Sequence, residues 1–284
     1  MTAEKAIEAA EQGQCKEAIP SLKRAVNASS NAADLRKNAG ILGLRCSLST
    51  DDRDAANVFL QQLHRQFPTD PDILFIVVHA YSDLSTRTAQ DLGRTAPQSI
   101  AAHKLMAEAF EMQGNWDQAQ HEYEEMIKKE PNALGLHFLF GRSLLSRPNV
   151  GPETIELAKH EFEQELEIDP NNAGAHYILG ELARKRGDCE EGAAQFRQAT
   201  KSDPNLAEAY LGLGYCLIDL KKYGEAITPL RVAERMLPFD GSVHFALATA
   251  LNSSGQKEEA QKEFEIHRKL TAARAPSNAG TNPQ

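Results

Sequence analysis

DPNNAGAHYILG runs from Asp169 to Gly180, and DPNLAEAYLGLG runs from Asp203 to Gly214. The two copies begin 34 residues apart, and a looser version, EPNALGLHFLFG, runs from Glu130 to Gly141. Each copy carries a proline at its second residue and passes into apolar residues at helical spacing. Proline lacks an amide N–H and disfavours the α conformation just before it, so it stops a helix. Such prolines recur at Pro68, Pro97, Pro131, Pro170, Pro204 and Pro238, at intervals of 29, 34, 39, 34 and 34 residues.

Two helical segments fit between successive stops. SIAAHKLMAEAFEMQG (Ser99 to Gly114) carries apolar residues at helical spacing and ends on glycine. NWDQAQHEYEEMIKKEP (Asn115 to Pro131) starts on a capping-type asparagine and ends on proline. Strand signals are lacking: there is no Asn-Gly hairpin turn and no sustained alternation. The pattern predicts an all-α chain of helix pairs, each leaving an apolar face that only the next pair can cover.

Composition narrows the function. The 284 residues are 41% apolar and 25% charged, with a net charge of −9 and both signs interspersed. That balance argues against a general binder of nucleic-acid backbones, which needs a basic face. The longest apolar run, Ile73 to Val78, is far too short to span a bilayer, so no direct membrane insertion is predicted. The start, MTAEKAIEAAEQGQ, lacks the pattern of a signal peptide.

The repeat resembles the tetratricopeptide repeat (TPR), a 34-residue helix–turn–helix with a large residue at position 4, Leu-Gly at 7 and 8, a large residue at 11, Ala at 20, an aromatic at 24, Ala at 27 and Pro at 32. The copy ending at Pro204 supplies His176, Leu179, Gly180, Ala183, Gly192, Phe196 and Ala199. The copy ending at Pro238 supplies Tyr210, Leu213, Gly214, Leu217, Ala226, Leu230 and Ala233. The resemblance implies an α-solenoid of antiparallel helix pairs, a TPR superhelix of about seven to eight repeats. Residues 1–97 read as degenerate TPR-like repeats. Regular repeats read as 98–131, 132–170, 171–204, 205–238 and 239–273, and 274–284 as a disordered tail.

Two units depart from the period. Between Pro68 and Pro97 the unit is short and its second helix, STRTAQDLGRTA, is weak. Between Pro131 and Pro170 five extra residues sit in SRPNVGPE, between the two helices.

His103, His137, His176 and His244 all fall at position 4, a packing position, and lie a full repeat apart. They read as packed side chains rather than metal ligands. There is no Cys-x-x-Cys and no Cys/His cluster, so no metal is predicted. There is no Gly-rich phosphate loop and no nucleophile elbow. The sequence therefore predicts no catalytic residue, no cofactor and no enzyme activity.

In the repeat frame Cys189 and Cys216 occupy positions 17 and 10 of consecutive units, and Cys15 and Cys46 occupy the same two positions. Two readings stand: two disulfides, Cys15–Cys46 and Cys189–Cys216, or four buried thiols. Disulfides would imply an oxidising compartment, periplasmic or secreted; thiols would fit the cytoplasm.

By resemblance, positions 5 and 9 of each first helix face a concave groove. Position 5 reads Ile41, Phe75, Lys104, Phe138, Tyr177, Leu211 and Phe245. Position 9 includes Arg45, His79, Glu108, Arg142, Glu181 and Tyr215, and Arg184 adds charge at position 12. An apolar ladder with interspersed charge suits a protein or peptide ligand. The Lys/Asn clamp of relatives that bind chaperone tails is not formed, because Lys104 is followed by Glu108. The function expected is a non-enzymatic scaffold binding a protein or peptide, in bacterial envelope or secretion assembly if the bridges form. The alternatives are a recruiting or regulatory module of an enzyme complex and a self-associating module, and the sequence sets no oligomeric state.

Overall fold

A computed structural model describes residues 1–274, so the tail expected over 274–284 lies outside the described residues apart from Arg274, which ends the last helix. The described residues form fifteen α-helices and no strand. The chain divides into two compact units at Ala102 and His103. The first holds α1 (Ala3–Glu11), α2 (Cys15–Asn27), α3 (Ala33–Ser49), α4 (Arg53–Gln66) and α5 (Pro71–Thr95). Helix α6 (Ile100–Met112) crosses the division in sequence. The second unit continues with α7 (Trp116–Lys129), α8 (Leu136–Leu145), α9 (Pro152–Ile168), α10 (Ala173–Lys185) and α11 (Cys189–Ser202). It closes with α12 (Ala207–Asp219), α13 (Tyr223–Met236), α14 (Gly241–Ser253) and α15 (Lys257–Arg274).

The turn between α10 and α11 shows how a hairpin is made. Gly187 sits at φ +83°, which a side chain would strain. Its N–H bonds to the Arg184 carbonyl, and the Asp188 N–H bonds to that of Ala183. These bonds satisfy the last carbonyls of α10. The Asp188 carboxylate then accepts from the Glu191 N–H at 3.1 Å and starts α11. Other hairpins turn on Gly13, Asp51, Gly114, Lys221 and Gly255, all at positive φ.

One expected pair is missing. Between Pro68 and Pro97 the chain forms the single 25-residue helix α5. The weak second helix is real, but it continues the first without a break. No glycine or proline falls between Pro71 and Gly93, and no residue of α5 has positive φ, so nothing turns the chain back.

Within hairpins the helices meet over small residues, as the sequence implies. Phe196 of α11 is fully buried between Gly180 of α10 and Gly212 of α12. A Cβ at Gly180 would lie 2.8 Å from its ring, and one at Gly212 2.5 Å. Phe162 seats on Gly141, Leu230 on Gly214 and, in the first unit, Phe59 on Gly43 in the same way. Burying one such side chain contributes roughly 1.5–3 kcal/mol.

All four position-4 histidines are buried. Nδ1 of His103, His137 and His244 meets Glu122, Glu161 and Glu263 of the second helix at 2.6–2.7 Å, and that of His176 meets Gln195. Nε2 of His137, His176 and His244 meets the carbonyl of Pro131, Pro170 and Pro238, six residues earlier. Each of these three rings therefore pins the stop proline ahead of a hairpin to that hairpin's second helix. Nε2 of His103 faces Lys129 Nζ instead, at 3.0 Å.

One bridge forms. Cys15, first in α2, is bonded to Cys46 of α3, with Cα atoms 4.9 Å apart. The second expected bridge is not formed: Cys189 and Cys216 are buried thiols.

Candidate functional site

In the first unit, Ile41, Leu44, Arg45 and Leu48 lie along one face of α3, at the spacing of successive turns. Facing them, α5 contributes Phe75, Ile76, His79 and Ala80. Together they line a cavity of about 400 Å³ with an almost wholly apolar surface. The Phe75 ring stands edge-on to the His79 ring, centroids 4.3 Å apart, and Phe75 remains 66% exposed. Val78 and Tyr81, also exposed, extend the apolar strip along α5. Arg45 is exposed and has no ion-pair partner among the described residues. The site can take up an apolar side chain and offers one cation beside it. Four sequence-predicted residues, Ile41, Arg45, Phe75 and His79, converge here. Leu44, Leu48 and Ile76 were missed because they read as ordinary packing positions.

In the second unit the predicted ladder is partly committed to packing. Phe138 of α8 is half-buried, and its ring lies 2.7 Å from where a Cβ on Gly174 of α10 would be. The exposed Arg142 guanidinium stands 5.9 Å over that ring. Tyr177 is half-buried against Phe196, centroids 6.1 Å apart, and burial pushes its phenol up from its ordinary pKa. Arg184 donates to both carboxylate oxygens of Glu181, at 2.8 and 3.3 Å, and stands 5.8 Å over the Tyr215 ring. The hydrogen bond to Glu181 is the main cause holding Arg184 above its ordinary pKa. Tyr215 donates to the Ser242 carbonyl at 3.4 Å, so one run of contacts links α10, α12 and α14. Leu211 is half-buried, while Lys104 and Glu108 of α6 are exposed.

Phe245 stays open. It is 48% exposed, with its ring near Phe264 and His267. With Tyr215, Ser242, His267 and Leu270 it lines a cavity of about 320 Å³. A further cavity of about 490 Å³, which no position in the repeat frame announces, lies beside Trp116, Arg147 and Asn149. The five-residue insertion creates it: Arg147 reaches back from the long loop to the Trp116 carbonyl at 3.0 Å and Gln120 at 2.7 Å.

Among the described residues one group, Glu234, His244 and Glu263, brings three metal-ligand-type atoms within 4.8 Å of one another. Both nitrogens of His244 are already engaged, by Glu263 and Pro238, in the arrangement His137 makes with Glu161 and Pro131. The group therefore reads as the repeat's packing device. No helix among the described residues is long and apolar enough to cross a membrane.

Residues 179–241 match a tetratricopeptide repeat family model, and residues 105–133 match another. Solved structures share the fold. A MamA protein aligns at TM-score 0.54 and 18% identity over 65% of this chain and 98% of its own. MamA from Desulfovibrio magneticus RS-1 aligns at TM-score 0.54 and 17% identity, over 62% of this chain and 97% of its own. YrrB, described as a TPR protein with an unusual peptide-binding site, aligns at TM-score 0.55 and 15% identity, over 66% of this chain and 93% of its own. The chain matches no curated protein sequence.

Proposed function

We propose, from the premise that this chain is a tetratricopeptide-repeat protein, that it is a non-enzymatic scaffold which holds a partner protein or peptide against its first helices. The observation that carries this reading is the apolar cavity between α3 and α5, with Phe75 two-thirds exposed at its edge and Arg45 unpaired beside it. A folded chain gains by covering such a surface, and an aromatic next to an arginine is the composition that dominates binding energy at interfaces. YrrB, a structural neighbour, is described as having a peptide-binding site, which favours the same use of the fold here. Phe245, and Arg142 over Phe138, supply further contacts in the second unit. The Cys15–Cys46 bridge supports an oxidising setting such as a bacterial periplasm, with a partner in envelope or secretion assembly.

The test selects peptides from a displayed random library on the full chain and measures the best binder against Phe75→Ala and against Phe138→Ala/Tyr177→Ala. A loss of tenfold or more with Phe75→Ala, about 1.4 kcal/mol, is expected. Binding unchanged in both variants, with helicity intact, would reject these faces as the site.

A further inference from the structure

The two cysteine pairs occupy equivalent places in the fold. Cys15 and Cys189 are the first residues of α2 and α11. Cys46 and Cys216 each stand three residues before the end of the next first helix, α3 or α12. One pair is bridged and the other is not. The residue three after the second cysteine separates them. Beside the bridge it is Ser49, whose hydroxyl donates to Cys15 Sγ at 3.6 Å. Beside the open pair it is Asp219, whose carboxylate accepts from the Cys189 thiol at 3.5 Å. A serine hydroxyl can still donate to a disulfide sulfur. A carboxylate bonds only to a thiol that keeps its proton.

We propose that Cys189 and Cys216 form a reversible thiol–disulfide site whose co-reactant is a small-molecule disulfide, and that Asp219 holds it in the dithiol form. Helices α11 and α12 run close enough here that a Cβ on Gly192 would lie 2.9 Å from Cys216 Sγ. The equivalent helix positions carry a bridge in the first unit, at a Cα separation well within disulfide range. Cys189 is the entering nucleophile: it is 6% exposed where Cys216 is fully buried.

The Cys189 thiolate attacks one sulfur of the small disulfide, forms a mixed disulfide and expels one thiolate. Deprotonated Cys216 then attacks Cys189 Sγ and expels the second. Two electrons pass from the protein to the small disulfide, which leaves as two thiols carrying the two protons lost by the cysteines. Burial pushes both protein thiols up from their ordinary pKa, so exchange in the folded chain is slow. Closure would tie α11 to α12 beside Tyr215, the neighbour of Cys216 that Arg184 covers.

The experiment refolds the full chain in graded mixtures of reduced and oxidised glutathione, traps thiols with an alkylating agent after acid quench, and maps the pairs by mass spectrometry. Refolding removes the kinetic block of burial. The expected result is a Cys189–Cys216 disulfide at the oxidising end. In Asp219→Ser its midpoint moves at least tenfold toward reducing mixtures, and Cys189→Ser abolishes it. Cys189 and Cys216 alkylated at every ratio, or each capped separately by glutathione, would overturn the site. A bridge with the same midpoint in wild type and Asp219→Ser would overturn the role of Asp219.

Discussion

Helix α10 and the first half of α5 fill the same place in the repeat, with opposite outcomes. In α10, the packing residues His176, Gly180 and Ala183 are buried. The matching residues of α5, Leu74, Val78 and Tyr81, are 36%, 64% and 51% exposed. The cause is the turn. Gly187 and Asp188 fold α11 back over α10, while nothing between Ser82 and Ser85 folds the rest of α5 back over its beginning. Residue size agrees: where α10 needs glycine to let a helix approach, α5 carries valine. A repeat that fails to close on itself keeps an apolar face open, beside the Phe75, Ile76, His79 and Ala80 wall of the candidate binding cavity.

The contrast breaks most visibly by truncating one ring in each region. Phe196→Ala leaves a cavity between α10, α11 and α12 and should cost about 3–5 kcal/mol in urea unfolding. Tyr81→Ala should cost no more than about 0.5 kcal/mol, the usual range for exposed positions. Comparable losses would mean that α5 is covered after all. Replacing both Cys15 and Cys46 by serine comes next, at about 2–4 kcal/mol, read as earlier unfolding of the first unit.

Much of this was legible in the sequence. The twelve-residue copies and the stop prolines gave the helix pairs of the second unit, because Gly180, Gly212 and Gly214 mark where helices must approach. The histidine partners were legible in retrospect. Three lie 19 residues on, and Glu161 lies 24 on because five residues are inserted between the helices. The single helix α5 was misread as a pair, since Pro68 and Pro97 bracket it like any other unit; the missing turn residue was the better signal. Cysteine positions alone leave each pair open between bridge and thiols, and the Asp219 contact that accompanies the thiol form at Cys189 depends on a side chain three residues beyond Cys216. The cavity was half legible: positions 5 and 9 gave Ile41, Arg45, Phe75 and His79, but Leu44, Leu48 and Ile76 read as ordinary packing positions.

The turn itself should yield a middle-sized effect. Gly187→Ala forces a side chain into left-handed backbone and should destabilise the second unit by roughly 1–2 kcal/mol. Ser85→Ala, at an exposed helical position of α5, should instead stabilise by a few tenths, up to about 0.5 kcal/mol. Thermal melts of the two variants check the opposed signs.

The histidine devices add a pH dependence. Burial pulls the His244 imidazole down, but its bonds to Glu263 and the Pro238 carbonyl outweigh burial and leave its pKa above the ordinary value. A raised pKa means that the stabilisation is complete below the unfolded value, about 6.5, and is lost as pH rises through the folded-state value. Glu263→Gln should therefore cost most near pH 6 and progressively less in alkaline buffer. A stability gap from wild type that stays constant across that range would show that His244 is not charged when folded.

The smallest change in stability should come from Phe75→Ala. The side chain is 66% exposed, so folding changes by no more than about 0.5 kcal/mol. Its deletion nevertheless removes the largest apolar group beside the cavity, and a bound peptide should lose at least tenfold in affinity. A fully buried ring does not separate the two quantities in this way: removing Phe196 removes packing between α10, α11 and α12. Phe75 does, because two-thirds of its side chain is exposed and that apolar surface is available to a partner. If Phe75→Ala instead destabilised the chain by several kcal/mol while binding persisted, the face would be an internal packing surface.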